Sequence, residues 1–222
     1  DAHDGLILPG FVNVHTHIAM TICKGLAEES SPARSSLYEL MFPINNFLSK
    51  DDFYTMALIG GLQLLNFGST CIGEIAVSAE SAAKALDQIG LRAVVSELVY
   101  DVDLLKLRDG VYEYSSDRGD RTLKEAVRIV DMFSDGNRIK GAFGPLAPDM
   151  CTRDLLKTLV EIAQERNRLI KMHVAQSQVE MQQVNRMHNM RPVEYLHELG
   201  ILSPRFIATH CVHVNNDEIR LL

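Results

Sequence analysis

Six short β-rich stretches alternate with segments of helical period along this chain, and no other feature constrains its fold as strongly. The strand candidates are LILPGFVNVHTH (6–17), STCIGEIAV (69–77), LRAVVSELVY (91–100), RIKGAFGPLAP (138–148), RLIKMHVAQS (168–177) and RFIATHCVHV (205–214). Helical candidates lie between them at 51–67, 79–89, 121–134, 152–167, 178–187 and 191–199. Several carry terminal signals: Thr152 precedes Leu155-Leu156, Ser177 and Glu180 form a capping-box pattern, and Gly90 and Gly200 stand where C-terminal caps belong. Repeated βα units imply a parallel sheet covered by helices, either a doubly wound open sheet or a (β/α)8 barrel. No G-x-G-x-x-G follows the first strand, so the dinucleotide-binding form loses its main support and an α/β, TIM-type barrel is favoured. About six strands are present where eight would close it, so residues 1–222 read as a partial barrel domain.

Composition narrows the partners. With 29 acidic against 22 basic residues the formal charge is -7, and no basic face is available to release counterions from a nucleic acid. No apolar run approaches the roughly 20 residues of a membrane span, so neither nucleic acid nor membrane is an expected partner. Cys23, Cys71, Cys151 and Cys211 form no CxxC pair, which argues against a disulfide framework and points to a reducing cytoplasm. The chain opens Asp1-Ala2-His3-Asp4-Gly5 without an initiator Met and stops inside the apolar run NDEIRLL, so both ends are expected to be cut points.

The histidines are the candidate chemistry. Strand alternation places His15 and His17 on one side at the C-terminal end of the first strand, while His173 and His210 lie late in the fifth and sixth. In a parallel barrel these strand ends share the face where sites form, and the long excursion GLAEESSPARSSLYELMFPINNF (25–47) lies at that same face. Convergent imidazoles suit Zn, Fe, Ni or Cu, so one divalent metal is expected. His3, His188 and His197 are expected on the solvent side; His213 either touches substrate or supports His210. Lys171 shares the inward side with His173 and is expected to pair with Glu97 or Glu74. Met181, Met187, Met190 and Cys211 read as packing residues.

Taken together, LPGFVNVHTHIAMTICKGLAEE, GLQLLNFGSTC, GLRAVVSE, FGPLAPDMCTRDLL, HVAQSQVE, RPVEYLHELGIL and ATHCVHV resemble the amidohydrolase superfamily, in its branch of nucleobase and S-adenosylhomocysteine deaminases and triazine chlorohydrolases. The resemblance implies a distorted (β/α)8 barrel with a mononuclear site for zinc, or alternatively iron, whose ligands here would be His15, His17, His173 and His210. It places a further Asp ligand, strands 7 and 8 and a flanking β-sandwich outside residues 1–222. It implies a hydrolase that directs a metal-activated water at a nitrogen heterocycle, releasing an amine or a halide. The small-molecule substrate would be its main partner, with a second copy or the remainder of its own chain covering the open edges. Two positions depart from the pattern. Gln176 stands where the deaminases carry a proton-relaying Glu, and Leu146 where the family often has a His. An amide hydrogen-bonds but is no general acid or base near pH 7, so Gln176 is expected to orient substrate or water. The alternative reading is a degenerate, non-catalytic homologue that binds metal or a partner.

Overall fold

Residues 5–26, 36–134 and 138–222 are described by the computed structural model. Strands β1 (Phe11–Thr16), β2 (Ser69–Ala76), β3 (Arg92–Val99), β4 (Ile139–Pro145), β5 (Ile170–Val174) and β6 (Phe206–His210) form one parallel sheet in sequential order. Helix α1 (Lys50–Asn66) follows β1, α2 (Ala79–Gln88) follows β2, α3 (Ser116–Met132) follows β3 and α4 (Arg153–Glu165) follows β4. Helices α5 (Gln178–His188) and α6 (Pro192–Glu198) follow β5, and α7 (Asn216–Leu221) follows β6. The sheet is strongly curled. His15 of β1 and His210 of β6 stand at its opposite edges, yet their ring centroids are 5.1 Å apart. A flat sheet would separate those strands by several spacings of about 4.8 Å.

Burial follows from this closure. Every residue of β5 is buried, as expected for a parallel strand covered on both faces. On α2 the buried side is built of Ala79, Ala82, Ala83 and Ala85, small enough to let the helix lie close on the sheet. Gly73 matters in the same way between strands. A Cβ there would stand 2.2 Å from the Val14 carbonyl oxygen, so only glycine lets β1 approach β2 this closely. At the sheet edge, Phe11, Val12 and Val14 of β1 remain exposed, as do Leu6, Ile7 and Leu8 before it. β6 differs, because its Phe206, Ile207 and Ala208 are half-buried.

The elements depart from the sequence reading in instructive places. β1 begins at Phe11 rather than Leu6, because Pro9 has no N–H to donate and the first β2 partner, Ser69, faces Phe11. α3 begins five residues before the expected 121: Ser115 accepts from the Arg118 N–H, and Gly119 packs close to Asp101 instead of breaking the helix. β5 and β6 end early, at turns where Ala175, His210 and Cys211 take positive φ of 50°, 75° and 51°. His188 is half-buried rather than exposed. Its ring stacks on Tyr195 at 3.9 Å between centroids, since the last turn of α5 folds over α6. His197 is exposed as expected, and His3 lies outside the described residues. No helix among the described residues is long and apolar enough to cross a membrane.

Gly73→Ala is expected to cost about 3 kcal/mol, because the obstructing atom is backbone and cannot rotate away. Thermal unfolding should show a melting point roughly 6–12 °C lower. An unchanged melting point would mean that β1 and β2 are not in this close approach.

Candidate metal centre

The C-terminal strand ends bring the four candidate histidines together. His15 and His17 leave β1, His173 is the penultimate residue of β5, and His210 closes β6. Nitrogen atoms of His15, His17 and His173 lie within 4.8 Å of one another. His210 completes the group ring to ring, at 5.1 Å from His15 and 5.4 Å from His173 between centroids. His15 stands edge-on to both His17 and His173, at 4.7 and 5.0 Å.

Two backbone carbonyls orient this cluster. His17 donates from Nδ1 to the Ile75 oxygen at 2.9 Å, and His173 donates from Nδ1 to the Leu146 oxygen at 2.6 Å. Each bond fixes a tautomer, leaving Nε2 with its lone pair. Those two Nε2 atoms face each other at 3.2 Å. Two acceptors at that separation repel unless a cation lies between them. Protons are disfavoured in that role, because desolvation lowers the pKa of His15 to about 3 and of His17 to about 4, and puts that of His173 well below the usual histidine value. Neighbouring positive charge adds to the effect, from His17 on His15 and from Lys171 on both His15 and His17. His15 Nδ1 is also buried without a hydrogen-bond partner among the described residues. Neutral, pre-oriented imidazoles with lone pairs directed inward are a donor set that fits a divalent metal ion.

The cluster lies at one side of a cavity of about 290 Å³. Its walls are mainly apolar. Leu37, Tyr38, Met41 and Phe42 come from the helical turns Ser36–Met41 and Phe42–Asn45, within the excursion after the first strand, and Leu98, Leu146, Met150 and Val179 come from the barrel side. Residues 27–35 of that excursion lie outside the described residues. Gln176 lines the cavity beside His173. His213 does not line it: its ring meets the Gln178 amide at 3.2 Å, and its backbone N–H donates to Ala175.

Several supporting residues differ from the sequence reading. Glu180 accepts no bond from Ser177 N; its carboxylate reaches further back, to Ala175 N at 2.6 Å and Gln176 N at 2.8 Å, and so fixes the backbone that carries Gln176. Only the Ser177 half of the capping box is present. Glu97 is not the partner of Lys171, because its carboxylate accepts from Ala79 N at the start of α2. Glu74 is the acid that interacts with Lys171. Burial pushes the Glu74 carboxyl up to about 8 against hydrogen bonds from Thr16 and Ile18, and pushes the Lys171 ammonium down to about 8 against the charge of Glu74. Sequence reasoning did not single out the Ile75 and Leu146 carbonyls, since backbone acceptors carry no residue signature. Glu74 did leave a signal, as an acid in the middle of the apolar strand STCIGEIAV.

Comparison with known proteins identifies relatives of this chain. A 5'-deoxyadenosine deaminase of Methanothermobacter thermautotrophicus is 34% identical over 223 residues, covering 100% of this chain and 50% of that protein. Among solved structures, an adenosine deaminase from Xanthomonas campestris with bound zinc superposes with a TM-score of 0.84 at 25% identity, over 96% of this chain and 46% of the other. A zinc complex of atrazine chlorohydrolase from Arthrobacter aurescens shares the fold, with a TM-score of 0.82 at 16% identity, over 96% of this chain and 51% of that one. The chain thus spans about half the length of the relatives it matches. The Amidohydrolase family model matches residues 6–222, and the chain belongs to the amidohydrolase family.

Proposed function

We propose that this chain carries the metal-binding half of a hydrolase that attacks a nitrogen heterocycle and releases an amine or a halide. One observation carries the reading: two imidazoles pinned through Nδ1 to carbonyls turn their Nε2 atoms toward a common point beside an apolar cavity. His15, His17, His173 and His210 would hold the ion, with zinc the first choice and iron the alternative. Such an ion supplies a water whose pKa falls from about 16 to about 7, and polarises the electrophilic carbon. The chain's own residues do the rest. Tyr38, Phe42, Leu98 and Leu146 enclose an aromatic ring and keep bulk water from the reacting carbon. Gln176, held by the grip of Glu180 on its backbone, donates to or accepts from a ring nitrogen without moving a proton. His213 acts from outside the cavity, on the turn that follows His210. The 5'-deoxyadenosine deaminase relatives make an adenine-like substrate the first to test. The exposed edge of β1 would be covered in the working protein by more of the same polypeptide or by a second copy.

Metal content tests the centre. Protein prepared without chelators is expected to carry about one transition-metal ion per chain, and the double variant His15→Ala, His17→Ala close to none, by elemental mass spectrometry. The exposed-site variant His197→Ala should keep its ion. Equal content in the double variant would remove the assignment.

Gln176→Glu tests the chemistry. A carboxyl at this position can pass a proton to a ring nitrogen, so ammonia release from adenine-type and triazine substrates should rise by roughly 10²-fold or more. If the unaltered protein deaminates as fast as the variant, the proton path lies elsewhere and Gln176 has no such role. Tight metal binding with no turnover in either form would favour a non-catalytic homologue, a reading that the amide at this position also motivates.

A further inference from the structure

Thr16, the residue between the two β1 histidines, and Ile18, the residue after them, bond to a single side chain. The Glu74 carboxylate accepts from Thr16 Oγ1 at 2.5 Å and from Ile18 N at 3.1 Å on each oxygen. It therefore holds His17 by both of its chain neighbours. Glu74 sits opposite Thr16 in the β1–β2 register, just after an irregularity between Asn13 and Thr16. The residues on either side of it also serve the same segment: Gly73 O lies 3.2 Å from Thr16 Oγ1, and Ile75 O accepts from His17 Nδ1. Three consecutive residues of β2 thus grip the His-Thr-His exit of β1.

Glu74 is fully buried, and its hydrogen-bond donors are all neutral. The charged group that faces it from the other side of the barrel is Lys171, which is 1% exposed and whose Nζ makes no hydrogen bond among the described residues. That Nζ lies 2.8 Å from where a Cβ on Gly73 would stand, so it reaches across the interior from β5 to β2, strands that are not neighbours in the sheet. Lys171 is two residues before His173 on the same side of β5. The other buried acids among the described residues bond elsewhere: Glu97, Glu180 and Glu218 to backbone N–H groups at helix starts, Asp101 to Thr152 and Asp149 to the Tyr112 hydroxyl.

We propose that Glu74 is a positioning residue of the metal centre: its carboxyl group, bonded to Thr16 and Ile18 and facing the buried Lys171, fixes the β1 exit so that His15 and His17 meet His173. The inference rests on the metal-binding reading above and adds the residue that sets its geometry. Without the clamp, Thr16 and Ile18 are free to turn, and His17 loses its fixed approach although its ring remains intact.

Cobalt(II) provides a probe with a readout other than turnover, because its visible absorption reports ligand number and symmetry. Chelator competition should show Co²⁺ bound at least 10-fold more weakly by Glu74→Gln than by the unaltered protein, with an altered visible spectrum. Lys171→Met should weaken binding in the unaltered background but add little in Glu74→Gln, as expected if both act through one clamp. Should Glu74→Gln fail to fold, Thr16→Val removes the same contact from the other side and should give the same spectral change. Cobalt bound with equal affinity and the same spectrum by the unaltered protein and the folded variants would overturn this inference alone. Unaltered protein that takes up no cobalt would overturn the metal-binding reading as well.

Discussion

The arrangement at the top of the barrel depends on two hydrogen bonds to main-chain oxygens, from His17 to Ile75 and from His173 to Leu146. Each bond fixes a ring plane and a tautomer, and each crosses between neighbouring strand ends: His17, just after β1, bonds to Ile75 of β2, and His173 of β5 to Leu146, just after β4. The ring planes are therefore set by main-chain oxygens, while the Glu74 side chain holds the β1 exit that carries His17. Sheet curvature is what makes this possible, since β1 and β5 come together only because the six strands roll toward closure. A parallel sheet built on sequential βα units thus supplies the fold, and carbonyls at its strand ends supply the precision.

Holding several neutral histidines beside one another imposes demands on the layers beneath. The interior just below the cluster contains Glu74 and Lys171, both buried, where hydrophobic packing would be the cheaper solution. Close strand contact at Gly73 leaves no room for a larger residue to fill that layer. The backbone is unusual here too: Ala175, just past β5, and His210, the last residue of β6, both take positive φ. Such conformations persist when surrounding contacts determine them, and the Glu180 carboxylate bonded to Ala175 N is one such contact.

Much of this was legible in the sequence, and the limits have physical causes. Period-two alternation put His15 and His17 on one side, and apolar lead-ins placed His173 and His210 at strand ends, so the convergence of four histidines followed from pattern alone. Lys171 was recognisable as inward-facing by the same parity, although parity could not choose between Glu74 and Glu97, which lie on neighbouring strands. Gly119 concealed the first turn of α3, because glycine signals a break where here it permits close packing against Asp101. His188 was misread because a helix-terminal histidine reads as exposed until the partner ring, Tyr195 on the next helix, is known. The cavity wall from Leu37 to Phe42 was placed only as a loop at the active face, since its helical turns carry no strong periodic signal.

The most direct test is crystallography of the metal-loaded protein with anomalous scattering recorded at the metal's absorption edge. The account predicts one peak between His17 Nε2 and His173 Nε2, at about 2.0–2.2 Å from each, with His15 and His210 nitrogens completing the set and both Nδ1–H bonds to Ile75 and Leu146 retained. A peak bound elsewhere, or one reached only after His17 or His173 releases its carbonyl and turns Nδ1 to the metal, would contradict it.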